Sequence, residues 1–315
     1  MQSATHSGVR PRALGQRTKV GVVSLASSAD PSDLVAGCAA LNQLTGWGAE
    51  AASTVPDGDF AGTAKARAAA LIELWQRDDL GAVLCSRGGY GSNYLLPLID
   101  FEALKASPKA FVGYSDNTSM LLALDRIGLV SFHGPMVASD FSAGRADAVS
   151  FRAALAGEPL DFSFAAGSGV QSLVAGEAHG PLIGGCLSIV VTSLGTPWEV
   201  QSEGKILFLE DVSEKPFRID RMLMHLLLAG KFEGVRGIIF GAMSGCNAAT
   251  GEEALPQMIL RILGGLGVPI VFGVPSGHVQ SGNLTLPFGV PAQLSSSASG
   301  VRLQVEPATL VDSNL

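Results

Sequence analysis

The chain is poor in several things, and each shortage excludes a class of protein. Its 315 residues include only four cysteines, Cys38, Cys85, Cys186 and Cys246. These lie far apart with no Cys-x-x-Cys spacing, which argues against a zinc site and against a disulfide-stapled secreted fold. They are expected to be buried free thiols, with no metal and no cofactor implied. Lys and Arg number 21 against 28 Asp and Glu, for a formal net charge of -7, and no basic run occurs. Nucleic acid and anionic membrane surfaces are therefore not the expected partners. No apolar stretch is long enough for a signal-peptide core or a membrane span, so Arg10, Arg12 and Arg17 read as part of a floppy leader, residues 1–18, on a cytoplasmic protein. Large aromatics are scarce too, with three Trp and three Tyr.

What the chain does have is apolar bulk, 47% hydrophobic residues, and 39 glycines, enough for one large core or two smaller ones with a cleft between them. Apolar, β-branched runs bounded by Gly recur at Lys19 to Leu25, Ala82 to Cys85, Ala110 to Gly113 and Leu129 to Phe132. Between them, Ala64 to Arg77 and Thr118 to Ile127 carry helical spacing. Such alternation predicts an α/β fold whose N-terminal lobe, residues 19–155, is a Rossmann-like parallel sheet flanked by helices, with ligands at the strands' carboxyl ends. The small, polar composition around Ala165-Ala166-Gly167-Ser168-Gly169 suggests a linker over residues 156–179. A C-terminal α/β domain, residues 180–315, follows. Its expected strands are Lys205 to Leu209, Gly237 to Phe240 and Pro269 to Phe272, its expected helices lie around Arg218 to Leu228 and Glu252 to Leu263, and Gln293 to Val305 forms a β-rich end.

Chemistry concentrates where apolar runs stop. The run Ala110-Phe111-Val112 ends in Gly113-Tyr114-Ser115-Asp116 and passes into a helical segment, which sets the Ser115 hydroxyl at a strand-to-helix corner. The same Gly-x-Ser corner can be a plain helix cap, and the second Gly of a hydrolase elbow is replaced by Asn117, so partners decide. A serine hydroxyl needs a base, and the base needs an orienting group. His6 lies in the leader, His225 in an apolar helix where packing is the expected role, and His133 and His179 each precede a Gly. His278, in Pro275-Ser276-Gly277-His278 after the last strand-like run of the second lobe, is the best base. The run Lys205 to Leu209 ends in Glu210-Asp211; Glu210 is favoured as the orienting acid, and Asp211 as a helix cap.

Acyl transfer also requires donors for the developing oxyanion. Cys85-Ser86-Arg87-Gly88-Gly89-Tyr90-Gly91 is a strand end followed by a Gly-rich turn with outward N–H groups, and the N–H of Asp116 at the helix start is the natural second donor. A phosphate loop would need Gly-Lys-Ser/Thr next, which is missing.

These segments, together with Gly184-Gly185, the stretch Ile206 to Val212 followed by Arg218-Ile219-Asp220-Arg221, and Gly277-His278, resemble in kind and order the LD-carboxypeptidase family of serine peptidases. That family includes muramoyltetrapeptide carboxypeptidases and microcin C immunity peptidases. The likeness covers roughly Lys19 to Gly289. It differs where the family has Pro-Gly-Asp before the first strand, here Leu14-Gly15-Gln16-Arg17, and Asn after the paired glycines, here Cys186. The resemblance implies an active site in the interdomain cleft, with a Ser115, His278, Glu210 triad shared by the two lobes. It further implies oxyanion donors at the N–H groups of Gly89 and Asp116, and a homodimer. The implied reaction is hydrolysis of the amide between the L-centre of meso-diaminopimelate and a C-terminal D-Ala in murein tetrapeptides, in cell-wall recycling. Hydrolysis of an aminoacyl nucleotide, as in microcin C detoxification, is the alternative; it calls for an aromatic shelf, for which Trp198 is the only C-lobe candidate and is expected in the core. A non-catalytic two-lobed solute-binding protein is the other. Arg87 and Arg218 are the cations considered for the substrate carboxylate, with neither assigned.

Overall fold

The structure, a computed structural model, describes residues 8–246 and 253–311. His6 and Glu252, the latter expected to open a helix, lie outside these residues. The first half runs β1 (Lys19–Val23), α1 (Pro31–Thr45), β2 (Gly48–Ala51), α2 (Ala64–Gln76), β3 (Leu80–Cys85), α3 (Phe101–Ala106), β4 (Ala110–Gly113), α4 (Thr118–Arg126), β5 (Ser131–His133) and α5 (Ala148–Ala156). Its strands pair in parallel in the order β5-β4-β3-β1-β2. All of β4 and nearly all of β1 and β3 are buried, as expected where helices cover both faces of a sheet and the strands read as unbroken apolar runs. The order reverses between β1 and β3, so the loops at the carboxyl ends there open a crevice. Helix α1 was not anticipated because its apolar stripe is weak. Its ends are nevertheless written in the sequence: Asp30 accepts from the N–H of Ser32 at 2.8 Å, Pro31 opens the first turn, and Gly46 closes it in the left-handed region.

The second half runs β6 (Leu160–Ala165), β7 (Gln171–Val174), β8 (Gly176–Cys186), α6 (Leu187–Thr192), β9 (Ile206–Val212), α7 (Pro216–Leu228), β10 (Gly237–Ser244), α8 (Leu255–Leu263), β11 (Ile270–Phe272), β12 (Leu286–Phe288), β13 (Pro291–Ser297) and β14 (Gly300–Val305). Apart from β12, these strands form a mixed sheet in the order β6-β14-β13-β8-β9-β10-β11-β7, in which β8 to β11 are parallel. The mixed α/β architecture with two sheets is the one the sequence predicts.

Two segments differ from expectation. The stretch read as a linker carries β6 and β7: Leu160, Phe162 and Phe164 alternate with exposed neighbours, the pattern of a half-buried edge strand, and the Gly-Ser-Gly tract is only the turn between the two strands. The described part of the expected leader is not loose. The N–H of Gly8 donates to the carbonyl of Gly289 at 2.9 Å, that of Ala13 to Leu310 at 2.8 Å, and Leu14 is buried. Single apolar anchors separated by polar residues give no periodic signal, so this segment looks featureless in the sequence.

Three features bind the halves together. Strand β12 leaves the second half to pair antiparallel with β5, placing Leu286 opposite His133. The Lys205 ammonium sits 2.6 Å from the buried Asp125 carboxylate at the end of α4. Gly184 and Gly185 let β8 run against its neighbours with no side chain between them. A Cβ on Gly184 would lie 1.8 Å from the carbonyl oxygen of Phe208, and one on Gly185 would lie 2.5 Å from Thr118 Oγ1 at the head of α4. Thr118 Oγ1 then accepts the N–H of Cys186 at 3.0 Å. The helix that follows Ser115 is thereby docked on the strand beside the one that carries Glu210.

Candidate active site

Strand β4 delivers Ser115 at a corner of unusual backbone. Its φ is 61°, one of the few positive values at a non-glycine residue, a conformation that costs on the order of 1–3 kcal/mol and is retained where neighbours over-determine it. Those neighbours are identifiable. Asn117 Nδ2 donates to the carbonyls of Arg87 at 3.1 Å and Tyr114 at 3.3 Å, tying the corner to the Gly-rich loop. Asp116 is committed to the same loop: the N–H of Ser92 donates to its carboxylate at 2.7 Å, and Ser92 Oγ donates to its carbonyl at 2.6 Å. The buried guanidinium of Arg67, on α2, donates to the carbonyls of Gly62, Gly91 and Leu25 and braces the loop from behind. The sequence reading missed Arg67, although a cation on the apolar face of a predicted helix is a visible signal.

Strand β9 delivers Glu210, fully buried. Opposite it β10 bulges: Leu209 pairs with Phe240 and Asp211 with Met243, so Gly241 and Ala242 together face one residue, a device that twists a strand end and re-aims its side chains. Asp211 points the other way, accepting from the N–H groups of Ser188 at 2.9 Å and Val212 at 2.8 Å. It caps α6, not the helix that follows it in sequence.

His278 lies on the crossing between β11 in the second sheet and β12 in the first. Its Nδ1 is 2.7 Å from Glu210 Oε2, its backbone N–H donates to the same oxygen at 3.2 Å, and its Nε2 is 3.0 Å from Ser115 Oγ. An ionised carboxylate only accepts, so Nδ1 carries the ring proton and Nε2 offers its lone pair to the serine hydroxyl. Tyr114 stands edge-on to the ring at 5.0 Å between centroids, and its hydroxyl donates to the buried Asp140 at 3.2 Å. Gly277 makes the approach possible: its φ is +102°, and a Cβ there would sit 2.4 Å from Glu210 Oε2. Gly277→Ala is therefore expected to lower stability by about 1–3 kcal/mol from backbone strain alone and to push the imidazole off the carboxylate, read as a lower melting temperature together with lost activity.

Burial alone would push the Glu210 carboxyl up, but the two imidazoles beside it, His133 and the hydrogen-bonded His278, outweigh it and hold the group at about 2. For His278 burial opposes charging, yet the hydrogen bond to Glu210 and the carboxylates of Glu210, Asp211 and Asp140 prevail and raise it above the ordinary 6.5. The arrangement can take a proton from a hydroxyl and stabilise the resulting imidazolium.

Ser115 and His278 open onto a cleft of about 650 Å³ that Gly88 and Gly89 also line, with Arg87, Arg145, Asp30 and Asp33 among its walls. Arg145, absent from the sequence reading, is held by Asp140 at 3.4 Å and the Ser139 carbonyl at 2.5 Å. Arg218 is elsewhere, 58% exposed and 3.6 Å from Glu214. Trp198 is half-buried in a separate pocket with Ser119 and Leu122. His179 is exposed on β8. His225, expected to be packed, is exposed on the outer face of α7, because Leu223 and Leu226 turn inward while its own position, like that of Leu228, does not. His133 is fully buried beside Glu210. All four cysteines are free, three of them buried; burial pushes the Cys186 thiol well up, keeping it neutral. Among the described residues no helix is long and apolar enough to cross a membrane.

Comparison with known proteins covers both halves of the chain. The family model described as the LD-carboxypeptidase N-terminal domain matches residues 20–134, and that of the LD-carboxypeptidase C-terminal domain matches residues 179–294. A Streptomyces coelicolor protein, provisionally named a carboxypeptidase, is 40% identical over 94% of this chain and 96% of its own length. A Bacillus subtilis protein named as a probable murein peptide carboxypeptidase is 33% identical over 91% of this chain and 92% of its own. The crystal structure of a muramoyltetrapeptide carboxypeptidase from Oxalobacter formigenes superposes with a TM-score of 0.86 at 29% identity, covering 93% of this chain and all of that one.

Proposed function

For a chain that belongs to the LD-carboxypeptidase family, and is by that membership a serine-type carboxypeptidase, we propose that the substrate is a murein tetrapeptide. The enzyme would release the C-terminal D-Ala from the L-centre of meso-diaminopimelate, in the recycling of wall fragments in the cytoplasm. The observation that carries this reading is the unbroken run of contacts from Ser115 Oγ through the His278 ring to Glu210, at the floor of a cleft. In this mechanism Ser115 attacks the scissile carbonyl, His278 takes its proton and returns it to the departing amine, and Glu210 steadies the imidazolium. The N–H groups of Gly89 and Asp116 would meet the oxyanion. Water then releases the acyl group by the same steps in reverse order. Two features of the cleft support the substrate. It carries both signs of charge, Arg87 and Arg145 with Asp30 and Asp33, as a ligand with free carboxylates and a free ammonium requires. Among the described residues its one aromatic wall besides His278 is Tyr114, which is buried and set edge-on to that ring, whereas an aminoacyl nucleotide would want an open stacking surface.

The test is release of D-Ala from a purified tetrapeptide, followed by mass, beside an aminoacyl-nucleotide amide and an all-L tetrapeptide. The D-Ala peptide is expected to turn over and the others not; preference for the nucleotide would reverse the assignment. The pH profile is a second check. Only the neutral ring accepts the serine proton, so activity falls as pH drops through the His278 value. Because that value is raised, the acid limb of kcat/KM should lie above 6.5. Glu210, at about 2, contributes no limb in the neutral range. A limb below the ordinary histidine value would remove His278 as the base.

A further inference from the structure

Behind the carboxylate, two polar atoms face each other without partners. His133 Nε2 and Glu210 Oε1 are both buried, neither makes a hydrogen bond among the described residues, and they lie 3.9 Å apart. Buried polar atoms are nearly always paired, and a carboxylate oxygen withdrawn from water is costly to leave bare.

The ring's other nitrogen decides what Nε2 carries. His133 Nδ1 is 3.1 Å from Ser276 Oγ, and that oxygen is 2.9 Å from the carbonyl of Leu284. The hydroxyl has one proton to give. If it goes to Leu284, Nδ1 must donate to Ser276 Oγ, and the neutral ring would set the Nε2 lone pair against the carboxylate in a dry pocket, a conflict that disfavours this arrangement. If the hydroxyl turns to Nδ1 instead, the neutral ring keeps its single proton on Nε2. Only this second arrangement puts an N–H opposite Glu210 Oε1 on a neutral ring.

We propose that His133 is a positioning residue for the reaction, its Nε2–H holding the second oxygen of the carboxylate whose first oxygen orients His278. The inference rests on the triad proposed above. A glutamate's terminal torsion is broad and roughly two-fold, so a carboxylate anchored at one oxygen can swing, while one anchored at both cannot. His133 is itself rigid. Its ring is packed edge-on to Phe208 at 4.8 Å and tilted against Tyr114 at 5.6 Å and Phe288 at 5.8 Å between centroids, and its backbone is paired on both sides within the first sheet. The chain Ser115, His278, Glu210, His133 thus starts and ends in the first half of the molecule and passes through the second, which ties the orientation of the acid to the seating of one half on the other.

The effect has a sign. Glu210 faces both rings; Asp211 and Asp140 act on His278 from further off, Tyr114 lies against both rings as a neutral phenol, and Phe208 and Phe288 bring only apolar rings to His133. With His133 removed, the carboxylate keeps its full charge for His278, whose ring becomes more basic. His133→Leu is expected to lower kcat about tenfold or more, the scale of leaving a buried charged acceptor unpaired. KM should be unchanged, since the ring is fully buried, and the acid limb should move to higher pH. His133→Gln, whose amide N–H reaches the place of the ring Nε2, should restore most of the rate and return the limb. D-Ala release across the neutral range reads all three. An unmoved limb in a folded Leu variant, or a Gln variant no better than Leu, would overturn the proposal. If His133→Leu does not fold, nitrogen spectra of wild-type enzyme labelled at histidine decide: a proton on His133 Nε2 throughout the active range supports the proposal, and a lone pair there overturns it. A fully active Glu210→Gln enzyme would instead remove the triad itself, whereas a crippled Glu210→Gln beside an unaffected His133→Leu removes this inference alone.

Discussion

Ser115→Ala should bring D-Ala release down by roughly 10⁶-fold in kcat, the loss found when the nucleophile of a serine peptidase is deleted from an otherwise intact site. What remains should be the roughly 10³- to 10⁴-fold advantage over water that binding and oxyanion donors supply on their own. The substitution isolates the hydroxyl well. Alanine is as reluctant as serine to hold the positive φ of this corner, so the strain is the same in both proteins. The bonds that fix the corner come from Asn117 and Asp116, not from Ser115. Tetrapeptide binding measured by calorimetry should therefore persist while turnover disappears. An alanine enzyme that still releases D-Ala at the wild-type rate would show that the attacking oxygen is not this one.

The residues of the site were legible because each follows an apolar run: Ser115 after β4, Glu210 near the end of β9, and His278 shortly after β11. A buried parallel strand announces itself by composition, and the residue at its carboxyl end is placed by the fold rather than by its own chemistry. Their meeting was not legible. It depends on Gly184 and Gly185 admitting the Phe208 carbonyl and Thr118 to van der Waals contact, on the Gly241-Ala242 bulge opposite Glu210, and on β12 crossing into the first sheet. Each is a long-range event with only a glycine or a three-residue strand to mark it. His133 was passed over in favour of His278, and Asp140 was not singled out, for a related reason. They lie within or beside apolar stretches, and a polar residue there reads as a packing exception until its partners, Ser276 and Glu210 for one and Tyr114 for the other, are seen around it. Composition likewise hid β6 and β7, since a short edge strand, alternating Phe and polar residues in β6 and only four residues long in β7, differs little from a linker when it adjoins a Gly-Ser turn.

Glu210→Gln is the second large effect, expected at about 10⁴-fold in kcat with the fold preserved, by analogy with a triad whose acid is made an amide. The size follows from which way the new amide turns. It would have one oxygen and one NH₂ to set against three neighbours, the Nδ1 and backbone N–H of His278 at 2.7 and 3.2 Å on one side and the Nε2 of His133 at 3.9 Å on the other in the parent enzyme. With an N–H on His133 Nε2 there are donors on both sides and one oxygen to serve them; whenever that oxygen turns toward His133, the NH₂ is left facing His278. The His278 ring must then accept at Nδ1, which moves its own proton to Nε2, where it can no longer receive one from Ser115. The charge that raised His278 is lost as well, so whatever activity survives should show its acid limb at lower pH than the parent, opposite in direction to the shift expected for His133→Leu. Adding His133→Leu to Glu210→Gln frees the amide to turn its oxygen toward His278, and the double variant should be faster than Glu210→Gln alone. The comparison is made on D-Ala release by the four enzymes under one set of conditions. Two substitutions whose losses simply multiply would mean that the amide never felt the second histidine.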